Sequence, residues 1–60
     1  MEKRYIGPQE LSNYLGMSKR TVYFWVTMRK IPYFKLGKHL RFDLMEVDKW
    51  LKIHKVEEIS

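Results

Sequence analysis

Two helix-forming segments are separated only by Gly16, Met17 and the capping residue Ser18, and this spacing restricts the fold more than any other feature. Upstream, Gly7 suits an N-cap and Pro8 the first helical turn, where a missing N–H costs nothing. Glu10 falls in that first turn, where the helix dipole favours negative charge, and Ile6 with Leu11 forms a hydrophobic staple. Leu11, Tyr14 and Leu15 follow helical periodicity, and Gly16 then stops the helix. Ser18 caps a second helix over about 19–28. On it Val22, Trp25 and Val26 share one face, while Arg20, Tyr23, Phe24 and Thr27 project from the other. Helices this short hold together by packing rather than by propensity.

Ile31 and Pro32 end the second helix. Residues 33–42 read as a hairpin around Gly37 and Lys38. Phe34 and Leu36 share a face of one strand, and Leu40 and Phe42 share a face of the next. Placing both apolar sets on the same side requires an odd loop of three or five residues, pairing Phe34 with Phe42 and Lys35 with Arg41. That register predicts Lys35 and Arg41 on the outer face, with Lys38 near the tip. Asp43 and Glu46 resemble a capping box opening a third helix over about 44–55, with Phe42 and Val47 as its staple. Val47, Trp50, Leu51 and His54 form its expected inward stripe, and the tail from Val56 to Ser60 is expected to fray.

Sixty residues allow one domain at most, over 1–60 with a core at about 5–55, and such a chain buries only about 60% of its unfolded surface. A start at Met1 fits a whole small protein as well as part of a longer one. The chain has no cysteine, which excludes disulfides and thiolate metal sites and is compatible with a cytoplasmic setting. No apolar run approaches the roughly 20 residues of a membrane span, so no membrane association is expected. His39 and His54 are isolated, and neither Ser12 nor Ser18 has a base beside it. No metal, no cofactor and no enzymatic activity is therefore expected.

Charge narrows the partner. From Leu11 to Phe42 there are seven basic residues and no carboxylate, whereas the flanks sum to −2, so the middle supplies the whole net charge of +5. A segregated cationic segment most often meets a polyanion. Two short helices joined by a Gly-containing turn of three or four residues form a helix-turn-helix. Leu11, Leu15, Met17, Val22 and Trp25 are the residues available to fill the wedge between the helices. Ser12 is small where they must approach, and Gly16 accepts a left-handed conformation.

The stretches Pro8-Gln9-Glu10-Leu11-Ser12, Leu15 through Tyr23, Ile31-Pro32, Leu36-Gly37-Lys38, Arg41-Phe42 and Val47 through Leu51 resemble the excisionase family of winged helix-turn-helix domains, a branch of the MerR-like superfamily. The resemblance covers about residues 5–52. Ser12 departs from it where the family often has Ala, and Lys30 where it often has Gly. It implies a mostly α fold with a small β-hairpin, in the order helix, helix, hairpin wing, helix. It also implies a small DNA-binding domain that acts in recombination directionality or in transcription regulation, some members being the DNA-binding module of a longer protein.

The helix faces distribute roles along this arrangement. Lys19 and Arg20 start the helix that enters the major groove, and Arg20 is the first candidate for bidentate contact with guanine. Thr21 and Thr27 offer hydroxyls to phosphates, and Tyr23 either does the same or reads a base edge. Phe24 either packs on a thymine methyl or serves a contact under the wing or between copies. Lys30 with Arg29 either joins the DNA contact or complements the helix C-terminus. Lys35, Lys38, His39 and Arg41 belong to the wing, where they grip phosphates or enter a narrow minor groove. The expected partner is double-stranded DNA, with a recombinase or integrase, or further copies of the protein, as second partners. A reading from another class makes the chain a protein-interaction adaptor that docks through helix 44–55.

Overall fold

A computed structural model describes residues 4–56. Its elements are β1 (Tyr5–Ile6), α1 (Pro8–Leu15), α2 (Lys19–Thr27), β2 (Phe34–Leu36), β3 (His39–Asp43) and α3 (Leu44–Ile53). The three helices and a small antiparallel sheet make a helix-turn-helix with a hairpin wing. The core draws one residue from every element but β2, namely Ile6, Leu11, Val22, Phe42 and Val47, together with Ile31 from the α2–β2 connection. Leu15, Trp25, Val26, Tyr33, Leu40, Leu44 and Trp50 pack around it.

The helix ends follow local chemistry. Gly7 caps α1 in an extended conformation, and Leu11 N–H closes the first turn on Gly7 O at 3.0 Å. At the other end Gly16 takes φ 66°. There the Gly16 N–H reaches Asn13 O and the Met17 N–H reaches Ser12 O, the Schellman pattern that satisfies the last carbonyls. The Ser18 hydroxyl accepts the Thr21 N–H at 3.1 Å and starts α2. A second Schellman turn ends α2. The Arg29 N–H bonds Val26 O, the Lys30 N–H bonds Trp25 O, and Arg29 itself takes φ 54°. The left-handed position is thus Arg29, one residue before Lys30.

The sheet runs β1-β3-β2. The two-residue β1, absent from the sequence reading, pairs Tyr5 with Asp43 and Ile6 with Phe42. Asp43 caps α3 by accepting the Met45 N–H at 3.0 Å. Glu46 does not close a reciprocal box; it pairs with Lys49 at 3.8 Å. Arg4 reinforces the cap instead, with Nε and Nη2 donating to the two Asp43 oxygens at 3.1 Å each. The hydrogen bond from Arg4 is the main reason the buried Asp43 carboxyl stays ionised below the usual carboxylate range. The Leu44 N–H also bonds Arg4 O, tying the start of the chain to α3.

The hairpin corrects the expected register. Phe34 pairs with Arg41, Lys35 with Leu40 and Leu36 with His39, leaving a two-residue Gly37-Lys38 turn. Gly37 has φ 63° and Lys38 is not among the positive-φ residues, so the turn follows the glycine-first pattern of a type II′ hairpin. The odd loop fails because its premise fails: Phe34 and Leu36 do not face the core. They lie half-exposed or more on the outer face beside Tyr5, whose ring meets Phe34 edge-on at 6.2 Å.

Three positions expected inside, two of them apolar, are outside. Met17 is exposed at the α1–α2 turn, and Leu51 and His54 lie beyond the reach of the core. Tyr14 is exposed too, and its hydroxyl donates to Asp48 at 2.7 Å, fastening α1 to α3. The helix α3 stops at Ile53, two residues short of the expected end, with His54 as its C-cap. Of the expected frayed tail, Val56 is exposed coil, and residues 57–60 lie outside the described ones.

Candidate nucleic-acid interface

The inner face of α2 fixes what its outer face shows. Val22 is fully buried, with Trp25 and Val26 packed beside it. At 100° per residue this turns Arg20, Tyr23, Phe24 and Thr27 outward; these four are exposed, and so is Lys19 at the start of the helix. Ser12 sits buried where α1 meets α2. Its hydroxyl donates back to Gln9 O at 2.7 Å, so α1 approaches without an unpaired polar group. Lys19 and Arg20 form no salt bridge with any described residue and stand at the positive end of the helix dipole. The result is an exposed helix start carrying two unpaired cations, followed along the same face by two aromatic rings.

The two threonines are less available. The Thr21 hydroxyl pairs with Ser18 Oγ at 2.9 Å, within the cap. The Thr27 hydroxyl donates to Tyr23 O at 3.0 Å. A phosphate contact through Thr27 must therefore displace a local bond, whereas Tyr23 presents its ring and hydroxyl freely to solvent.

The wing cations are sorted differently from the sequence reading. Lys38 and His39 are exposed at and beside the turn. Lys35 shares the face of Leu40, while Arg41 shares the opposite face with Phe34, so the two do not act side by side. Arg41 is also drawn in. Its Nη1 donates to the carbonyl of Leu40 at 2.7 Å and lies close to Gly7, 3.6 Å from where a Cβ would sit. Lys30 is exposed and lines a groove with Trp25 and Trp50. Of the eleven residues named from sequence, α2 therefore gathers Arg20, Tyr23, Phe24 and Thr27 on one face, with Lys19 exposed at its start. The wing adds Lys38, His39 and Lys35 at its end.

Tyr5 and Arg4 were missed. Tyr5 joins Phe34 on the outer sheet face, and the Arg4 guanidinium lies 5.5 Å from the Tyr5 ring centre. The only trace of this in the sequence is the single alternation Tyr5-Ile6, too short to announce a strand.

A short helix, a tight left-handed glycine turn and a second helix with a cationic, exposed start define a helix-turn-helix protein of the DNA-binding class. A family model described as a helix-turn-helix domain matches residues 5–53, and the chain belongs to that family. No curated protein and no solved structure matches the chain. Among the described residues, no helix is long and apolar enough to cross a membrane.

Proposed function

We propose that the chain binds double-stranded DNA sequence-specifically, as an excisionase-type directionality and architectural factor of a mobile element. In this reading α2 lies in the major groove and the wing lies on the adjacent backbone or minor groove. The observation that carries it is the outward face of α2: exposed Lys19, Arg20, Tyr23 and Phe24 on a helix anchored by a fully buried Val22, within a segment that holds no carboxylate. Arg20 reads a guanine edge, Phe24 packs on a thymine methyl, and Lys19 holds phosphate. Lys35 and Lys38 secure the backbone from the wing. One such domain covers few base pairs, so several copies along a site organise the DNA. The excisionase assignment rests on the motif resemblance; regulation of transcription uses the same contacts.

Footprinting on the DNA flanking the gene, at two salt concentrations, tests the proposal. It predicts discrete protected sites, with a log K against log salt slope of about −4 to −5 for four to six neutralised phosphates. Arg20→Glu abolishes the protection. Sites at the ends of an integrated element beside a recombinase gene support excision control, and sites at a promoter alone support regulation. Uniform protection, or none, defeats the reading.

A further inference from the structure

Behind the recognition helix, on the side turned away from Arg20, a half-open groove of about 410 Å³ runs between the α1–α2 turn and α3. Its walls are Leu15 and Met17 on one side, Trp50 and Leu51 on the other, with Trp25 between. The two indole rings are tilted against each other with centroids 5.5 Å apart. Volume and lining both fall in the range of small-molecule sites, which are mostly apolar and aromatic with few polar groups. A larger depression of about 750 Å³ lies near Arg4 and Tyr14, but there Arg4 is taken by Asp43 and Tyr14 by Asp48.

The groove differs in having a charged group left over. Trp50 Nε1, the one buried side-chain donor without an acceptor among the described residues, is closed off from solvent beneath it. Lys30 makes no salt bridge with any described residue, and no carboxylate lines the groove. The other polar member, His54, has its Nδ1 engaged 2.8 Å from Trp50 O, with its ring tilted at 48° to Trp50 and the centroids 4.6 Å apart. An apolar trough with aromatic walls and an unpaired ammonium complements a flat apolar anion. A second copy of the chain, with its net charge of +5, meets Lys30 less well.

We infer that this groove binds a small aromatic carboxylate, its ring against Trp25 and Trp50 and its carboxylate on Lys30. The site uses neither Lys19, Arg20 nor the wing, so its failure leaves the DNA-binding reading intact.

Trp25 and Trp50 are the only tryptophans in the chain, so both reporters lie in the site. The full chain is titrated with 3-phenylpropionate and, separately, with the neutral 3-phenylpropionamide, exciting at 295 nm and following both indole N–H resonances by NMR. The acid is expected to shift both indoles saturably and to bind at least about fivefold more tightly than the amide, because its contact with Lys30 is charge-assisted. Lys30→Gln, at an exposed position that leaves the fold intact by circular dichroism, removes that preference. Leu51→Glu weakens the acid more than the amide. Equal binding of acid and amide, no saturable change up to 10 mM, or a change that follows self-association in sedimentation overturns the inference.

Discussion

Arg29 holds the least favourable backbone conformation among the described non-glycine residues, and replacing it yields a quantitative test of how α2 ends. Its φ of 54° lies in the left-handed region, which costs an L-residue about 1–2 kcal/mol. Glycine removes that strain but gives up about 0.5–1 kcal/mol through its freer unfolded chain. The net gain for Arg29→Gly is therefore about 0.5–1 kcal/mol. In a domain this small each kcal/mol moves Tm by about 4–8 °C, which predicts a rise of about 2–8 °C.

Removing a cation from a crowded basic segment stabilises as well, so the single variant is ambiguous. Arg29→Ala resolves it. Alanine loses the same charge and keeps the strain, and the Gly-minus-Ala difference isolates the backbone. Thermal unfolding followed by far-UV circular dichroism should place the glycine variant above the alanine variant by several degrees. Equal Tm values for the two, or a glycine variant below wild type, would refute the left-handed turn.

The paired Asp43 carboxyl lies below its ordinary range, so its contribution is present above the unfolded pKa and lost as pH falls through the folded one. Acid denaturation of Arg4→Ala should begin at higher pH than in wild type; identical acid limbs contradict the Arg4–Asp43 pair. Tyr14 runs the other way: donation to Asp48 raises its pKa, so its stabilisation is complete below about 10 and lost as pH rises further. Tyr14→Phe should flatten the alkaline limb of stability against pH, and an unchanged limb sinks the bond. Gly37→Ala places a Cβ at φ 63° and should lower Tm while leaving the two helix caps intact by hydrogen exchange; protection lost evenly across the chain counts against a local turn effect. Val22→Ala removes a fully buried side chain where α1 meets α2 and should destabilise by about 2 kcal/mol in denaturant titration; a loss under about 0.5 kcal/mol contradicts the packed interface.

The parts legible in the sequence were those governed by residues within a turn of one another. Gly7-Pro8, Gly16, Ser18 and Asp43 each mark a helix end through their own backbone or side-chain chemistry, and each holds that position. The outward face of α2 followed from period alone once Val22 was placed inside. The wing did not, because its register was argued from the assumption that every apolar residue faces the core. Phe34 and Leu36 lie on the outer face of the sheet, away from the core, and the Gly37-Lys38 turn decides the pairing. The same correction separates Lys35 from Arg41. The hydrogen bond of Arg41 to Leu40 O, the grip of Arg4 on Asp43, and the place of Lys30 beside two tryptophans all depend on which segments meet in space. No local pattern encodes those.

The central claim is that the exposed start of α2 reads base pairs. Selection of binding sites from a random duplex pool, run in parallel with wild-type protein and Arg20→Ala, tests it most directly. The account predicts that wild type enriches a short motif containing a guanine. Arg20→Ala should lose discrimination at that guanine, by about 1–3 kcal/mol, while keeping the rest of the motif. An enriched motif identical in the two proteins, or no motif with wild type, would contradict it.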